Sequence, residues 1–144
     1  FVNFVLPSIM ARFRPAAGIA AFARAKRIPM LEVEDVNGAA CHAALQDARP
    51  DVILSFHFDQ IFTPETLALA PLGGVNIHPS LLPRHRGPIP AFWALQEGPD
   101  ATGVSIHRIV ARIDAGEVLA QRAHQRWHEA TLADVAHMQL ENTT

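Results

Sequence analysis

Residues 75–90, VNIHPSLLPRHRGPIP, place polar side chains directly after a segment with the composition of a buried strand. Because side chains alternate along a strand, Asn76 and His78 are expected to point to the same side of a sheet. An Asn amide can donate hydrogen bonds to an oxygen that gains charge, and a His can accept, donate or hold a proton near neutral pH. The pair could therefore polarise a carbonyl group, although two loop side chains that only bond the backbone would look the same.

A carboxylate that could complete such a site occurs in IDAGEV, residues 113–118. Asp114 falls in a predicted turn between two strands, where Asp is common for turn geometry alone. If it faces His78 instead, it would raise the pKa of the imidazole and orient the ring. The spacing of the residues leaves both interpretations open.

The elements that must position these residues alternate along the chain. Apolar runs predict strands at residues 1–6, 28–33, 51–56, 73–77, 103–110 and 116–126. Helical spacing and capping residues, with Asn37 and Thr63 as N-caps, predict helices at residues 11–27, 37–48, 63–70, 89–98 and 131–140. This alternation predicts an α/β domain whose largely parallel, Rossmann-like sheet has helices on both faces and binds ligands beyond the carboxyl ends of its strands.

Composition and motifs exclude several classes of function. The 144 residues, 49% of them hydrophobic, suit one packed domain, and a formal charge of -2 argues against a surface that attracts nucleic acid everywhere. The single Cys41 excludes an internal disulfide and fits a reducing compartment, so we expect a cytoplasmic protein. No run approaches the roughly 20 apolar residues of a membrane span, and no glycine-rich nucleotide loop occurs.

The histidines do not predict a metal site. His57, His78, His85 and His107 form no i, i+4 pair on a helix, and no cluster of carboxylates accompanies them. We therefore expect no metal.

The element NIHPSLLPRHRG, followed by the strand TGVSIHRI and then by IDAGEVLAQ, resembles the folate-dependent formyltransferase family. That family includes methionyl-tRNA formyltransferase, sugar N-formyltransferases and glycinamide ribonucleotide transformylase. The similarity runs from about residue 50 to about residue 140. On this resemblance Asn76, His78 and Asp114 fall on the catalytic Asn, His and Asp of the family.

The resemblance implies transfer of a formyl group from 10-formyltetrahydrofolate to a primary amine, with no metal. Asn76 and a protonated His78 would stabilise the oxyanion, and Asp114 would keep His78 charged and help to move the amine proton. A sugar nucleotide amine ranks first as the acceptor and methionyl-tRNA second. A formyltetrahydrofolate deformylase and a non-catalytic folate-binding module remain as alternatives.

The resemblance also assigns the folate and the acceptor to particular loops. The cofactor-binding candidates lie in three segments, namely Asp59, Gln60, Ile61 and Phe62, then Ser80, Leu81 and Leu82, and finally Val110, Ala111, Arg112 and Ile113. The candidate substrate contacts are Arg84, Arg86, Gly87 and His107.

The family domain begins with a strand and a helix that have no counterpart in this sequence. We therefore expect residues 1–144 to be a formyltransferase catalytic domain truncated at its N-terminus. A neighbouring copy in a homodimer that fills the gap, or a degenerate and inactive relative, would also account for the missing strand.

Overall fold

The computed structural model describes residues 19–98 and 101–123. The strand predicted at residues 1–6 and the helix predicted at residues 131–140 lie outside the described residues. In chain order, the elements are α1 (Ile19–Lys26), α2 (Ala39–Ala48), β1 (Ile53–Phe56), α3 (Pro64–Leu67), β2 (Gly74–His78), α4 (Pro90–Glu97), β3 (Gly103–Arg108) and β4 (Val118–Ala123).

The strands of the described residues form one sheet in the order β1-β2-β3-β4. β1 and β2 are parallel, whereas β3 is antiparallel to β2 and β4 is antiparallel to β3. The α/β organisation is confirmed, and the described sheet is mixed, with its parallel pairing at β1 and β2. β3 and β4 are joined by residues 109–117 alone, and a parallel pair needs a crossover of about a dozen residues or more.

The prediction of a strand at residues 28–33 is wrong. Three apolar side chains of that segment are about half exposed, namely Ile28 at 52%, Met30 at 49% and Leu31 at 58%. A strand needs a neighbouring strand for its backbone hydrogen bonds, and apolarity alone does not supply one. The segment makes other contacts instead, among them a bond from the Ile28 amide to the Ala23 carbonyl.

Local capping signals predicted the start of α3 correctly but not the N-cap residue of α2. Thr63 caps α3 as expected, because its hydroxyl accepts a hydrogen bond from the Thr66 amide and Pro64 takes the first helical position. α4 ends at Glu97, and Gly98 follows it at the C-cap with a φ of 123°. α2, however, is preceded by Gly38 at the cap, and the Asn37 side chain bonds to the residues before and within α3.

The core of the described residues lies between α2, β1 and the segment around α3. Its buried members are Val36, Cys41, Ile53, Phe62 and Ala70. This packing fixes β1, and the parallel pairing then fixes β2, which carries Asn76 and His78. Among the helices of the described residues, none has the length and apolar character needed to cross a membrane.

Candidate functional site

β2 and β3 bring three polar side chains to one face of the sheet. Asn76 and His78 lie two residues apart on β2, and His107 of β3 is the cross-strand partner of Asn76. Residues two apart on a strand, and directly opposite residues on its neighbour, share a face. The expectation that Asn76 and His78 lie on the same side agrees with this arrangement. His107 joins them through a pairing that spacing along the chain does not reveal.

The turn between β3 and β4 adds Asp114 to this face. The turn leaves the sheet beside the start of β2, where the Ile109 amide donates to the Gly74 carbonyl at 2.8 Å. It closes where the Arg108 amide donates to the Glu117 carbonyl at 2.9 Å. In between, the chain comes back far enough for Asp114, with a φ of 47°, to contact Asn76 and His78. The site therefore uses the face of the sheet, not only the carboxyl ends of its strands.

Gly116 is required by the tight closure of this turn. A Cβ atom at this position would overlap the backbone carbonyl of Arg108. Glycine lets the two backbones approach, which keeps the turn short enough to hold Asp114 over the face.

The Asp114 carboxylate is the common partner of the cluster. Its Oδ1 lies 3.5 Å from Asn76 Nδ2 and 3.4 Å from His107 Nε2. Its Oδ2 lies 3.5 Å from His78 Nδ1 and accepts a hydrogen bond from the Gly87 amide at 2.8 Å. The structure thus brings together Asn76, His78 and Asp114, and it assigns Gly87 to holding the carboxylate.

Backbone carbonyls define which nitrogen of each histidine carries a hydrogen. His78 Nε2 lies 3.0 Å from the His85 carbonyl, and His107 Nδ1 lies 2.8 Å from the Arg108 carbonyl. Because a carbonyl only accepts, the hydrogen must sit on those two nitrogens. In the neutral rings, the nitrogens that face Asp114 are then bare, and Asn76 Nδ2 donates to His107 Nε2 at 3.2 Å.

Burial sets the direction of the pKa shift at His78, which is only 4% exposed. Burial lowers the pKa of the imidazole from its ordinary value, because the charged ring loses its hydration. The Asp114 carboxylate and the His85 carbonyl raise this pKa, but the net direction is downward. Asp114 therefore does face His78, yet the expected net rise in the pKa is not found, and the neutral ring is favoured near pH 7.

The segment that follows β2 is fastened to β3 and β4 by two residues that sequence reasoning missed. The fully buried Ser105 hydroxyl donates to the Ser80 carbonyl at 2.6 Å and accepts from the Leu82 amide at 3.0 Å. Gln121 Nε2 donates to the Leu82 carbonyl at 2.9 Å and to the Ser105 hydroxyl at 2.8 Å. The available signal was a serine inside the otherwise apolar part of β3, because a buried hydroxyl needs partners.

The candidate cofactor-binding residues fall into structural and exposed groups. Phe62 belongs to the core, and the Gln60 side chain bonds to the Glu34 carbonyl and the Val36 amide. Ser80 and Leu82 are buried, and Leu81 packs against Gly103, where a Cβ would collide with it. The exposed members are Asp59, Ile61, Val110, Ala111, Arg112 and Ile113.

The candidate substrate contacts are also divided by the structure. Arg84 and His85 both pair with Glu97, at 3.1 Å and 2.8 Å. Arg86 is exposed and makes no ion pair within residues 19–98 and 101–123. His107 is only 2% exposed and lies inside the cluster. Arg86 is therefore the exposed arginine of this group that has no ion pair within the described residues.

Comparisons with known proteins agree with this arrangement. A family model described as formyl transferase matches residues 8–142. Glycinamide ribonucleotide transformylase 1 from Symbiobacterium toebii is 28% identical with a TM-score of 0.65, and the match covers 72% of this chain and 49% of that one. The formyltransferase PseJ from Anoxybacillus kamchatkensis, in complex with UDP-4,6-dideoxy-4-formamido-L-AltNAc and tetrahydrofolate, is 26% identical with a TM-score of 0.61, covering 78% and 56%.

The fold is shared with a more distant structure as well. Phosphoribosylglycinamide formyltransferase from Bacillus halodurans is 24% identical with a TM-score of 0.75, and the match covers 89% of this chain and 70% of that one. The chain spans about half the length of the Symbiobacterium toebii protein.

Proposed function

Because the chain belongs to the formyl transferase family, we propose that it transfers a formyl group from 10-formyltetrahydrofolate to a primary amine. The observation that carries this proposal is the convergence of the Asn76 amide and the His78 imidazole on Asp114, each at 3.5 Å. A hydrogen-bond donor, a titratable ring and a carboxylate are groups that can catalyse acyl transfer between nitrogens.

In the proposed reaction, the amine nitrogen attacks the formyl carbon and the formyl oxygen becomes an oxyanion. The Asn76 amide donates to this oxygen, in place of its long 3.5 Å contact with Asp114. The former amine now carries an extra proton, which passes to the bare Nδ1 of His78. The resulting imidazolium lies beside the Asp114 carboxylate, which stabilises its charge.

Collapse of the adduct completes the transfer. The carbonyl re-forms, the bond from carbon to the folate nitrogen breaks, and His78 returns its proton to that nitrogen. His78 therefore acts first as a base and then as an acid. This order of events begins from the neutral ring that burial favours, and it differs from the sequence-based expectation of a His78 that is charged at the outset.

The folate is proposed to bind at the edge of this cluster. The side chains of Ile61, Val110 and Ile113 are exposed at 59%, 42% and 53%, and they offer apolar surface for a flat ring. The backbone of Ser80, Leu81 and Leu82 is fixed by Ser105 and Gln121. The similarity to PseJ, whose structure contains tetrahydrofolate, supports this donor.

The acceptor is proposed to be the amine of a sugar nucleotide. Arg86 supports this choice, because an exposed guanidinium without an ion pair in the described residues suits a phosphate group. The similarity to PseJ points the same way. Methionyl-tRNA ranks second because the net charge of -2 weakly disfavours RNA. The proposal includes a cytoplasmic location, supported by the buried, unpaired Cys41.

The test measures turnover of 10-formyltetrahydrofolate by the full-length protein with a panel of amine acceptors. We expect Asn76→Ala to lower kcat by roughly 100-fold to 1,000-fold, as for loss of one oxyanion donor. His78→Ala should lower it at least as much, whereas His42→Gln, on α2 and in contact with Thr66, should leave it unchanged.

Three outcomes would contradict the proposal. Unchanged turnover in both Asn76→Ala and His78→Ala would remove the assigned roles. Release of formate without any amine would identify a deformylase. Binding of a stable folate analogue, measured by calorimetry, without any turnover would identify a folate-binding module.

A further inference from the structure

His78, His107 and Asp114 form a cluster of electron-pair donors. One nitrogen from each of His78 and His107 and one oxygen of Asp114 lie within 4.8 Å of one another. His78 Nδ1 is 3.5 Å from Asp114 Oδ2, and His107 Nε2 is 3.4 Å from Asp114 Oδ1. Donor atoms that share a tetrahedral Zn²⁺ at about 2.0–2.1 Å are about 3.4 Å apart. Each histidine nitrogen therefore lies at a suitable distance from one oxygen of Asp114. The two oxygens differ, so one ring moves toward the shared oxygen when the carboxylate binds an ion through a single oxygen.

The hydrogen bonds of both rings prepare them for a metal. The hydrogens sit on His78 Nε2 and His107 Nδ1, which face the carbonyls of His85 and Arg108. Metal-binding histidines usually donate their second N–H in this way, because it fixes the ring and leaves the other nitrogen bare. The Gly87 amide also holds Asp114 Oδ2 at 2.8 Å. No ring has to flip to present its lone pair to an ion.

The spacing rule applied to the sequence could not reveal this set. That rule examines pairs one helical turn apart, whereas His78 and His107 come from adjacent antiparallel strands and Asp114 from the following turn.

One existing interaction competes with a bound ion, namely the hydrogen bond from Asn76 Nδ2 to His107 Nε2 at 3.2 Å, which the ion would displace. One neutral hydrogen bond is weak beside the affinity of nitrogen and carboxylate ligands for zinc.

We propose that His78, His107 and Asp114 bind a divalent transition-metal ion, with Zn²⁺ as the preferred ion, and that the bound ion reversibly blocks the site. Two imidazoles and a carboxylate form a ligand set that suits zinc, and a water would complete the tetrahedron. The binding stands on the geometry alone. The inhibition rests on the proposed function, because a His78 nitrogen and a carboxylate that hold an ion cannot take up the amine proton.

Binding is tested first, without any measurement of activity. The full-length protein is treated with a chelator, dialysed and titrated with ZnCl₂ by calorimetry, and with CoCl₂ while the visible absorption of tetrahedral Co²⁺ is recorded. We expect a site whose affinity falls at least tenfold in each of His78→Gln, His107→Gln and Asp114→Asn, and is unchanged in the control His42→Gln, whose imidazole lies on α2 and contacts Thr66 instead of the cluster.

A second measurement uses the unaltered protein, so that a variant that fails to fold does not decide the matter. We expect the imidazole NMR signals of His78 and His107 to shift on addition of Zn²⁺, and those of His42, which contacts Thr66, to stay in place. Absence of zinc binding, or equal binding by the wild type and the three cluster variants, would overturn the proposal.

Inhibition is tested last, by assaying formyl transfer with added Zn²⁺ and again after excess chelator. We expect loss of turnover and its recovery, and we expect any turnover that remains in His107→Gln to be insensitive to Zn²⁺. Zinc binding to a protein without formyl transfer would contradict the proposed function and leave the metal site standing. Full turnover with the metal bound would contradict the inhibition.

Discussion

Asp114 shows how one side chain can organise residues that are far apart in the sequence. Its two oxygens contact Asn76, His107, His78 and the Gly87 amide, and its side chain is 12% exposed. A carboxylate in that position acts against the desolvation of His78, since an opposite charge favours the protonated ring. The effect of burial is larger than the effect of this carboxylate, so the pKa of His78 stays below its ordinary value.

At this scale we predict the effect of Asp114→Asn on His78. Removing the negative charge removes an effect that raises the pKa of His78, so that pKa should fall further. The measurement is an NMR titration of the His78 imidazole signals in both proteins.

The matched control for that titration is Glu97→Gln, which removes a carboxylate that pairs with Arg84 and His85 instead of His78. It should leave the pKa of His78 nearly unchanged. A rise in the pKa of His78 in Asp114→Asn would show that Asp114 does not act through its charge.

At the scale of elements, Asn37 joins α2 to the segment that leads into α3. Its Nδ2 donates to the Ile61 carbonyl, and its Oδ1 accepts from the Thr63 amide and the Thr66 hydroxyl, each at 2.8 Å. Thr66 is fully buried, so its hydroxyl depends on partners inside the protein. The same segment carries Ile61, a candidate folate contact.

We predict that Asn37→Ala lowers the free energy of unfolding by about 2 kcal/mol, because it leaves buried polar groups without one of their partners. Asn37→Asp should cost at least about 1 kcal/mol, because the carboxylate keeps both acceptor contacts but sets an oxygen against the Ile61 carbonyl, to which Nδ2 donated. Urea denaturation of the three proteins measures both values. Equal stability of Asn37→Ala and the wild type would show that this junction does not hold the elements together.

At the scale of the whole molecule, the buried His78 couples folding to pH. The unfolded chain has the ordinary pKa of 6.5 at this residue, whereas the folded chain has a lower one. As the pH falls below about 6.5, the unfolded state takes up a proton before the folded state does, so stability decreases. Below the folded pKa both states are protonated, and this contribution stops changing.

We therefore predict that the free energy of unfolding falls as the pH is lowered through about 6.5, and that the fall is smaller in His78→Gln, which has no imidazole at this position. Urea denaturation at several pH values measures both slopes. His57→Gln should reduce the slope as well, because burial also lowers the pKa of His57. An identical slope in His78→Gln and the wild type would assign the pH dependence to other groups.

Several features of this protein followed from the sequence because they depend on local geometry. The period of two along β2 places Asn76 and His78 on one face, and the Thr63-Pro64 pair starts α3 where capping chemistry requires it. The apolar runs predicted β1 and β2, yet the same kind of run at residues 28–33 forms no strand. A run of apolar residues indicates a preference for burial, but a strand also needs the backbone of a neighbouring strand as its hydrogen-bond partner.

The tertiary structure alone decided the remaining features. The antiparallel pairing of β2 with β3 sets His107 beside Asn76, and the closure of the turn at Gly116 directs Asp114 back to both. The sequence supplied the chemical types of Asn76, His78 and Asp114, whose side chains are the same in any fold. Their distances and the lowered pKa of His78 are properties of the packed state, because both depend on contacts and on burial between segments about 30 residues or more apart.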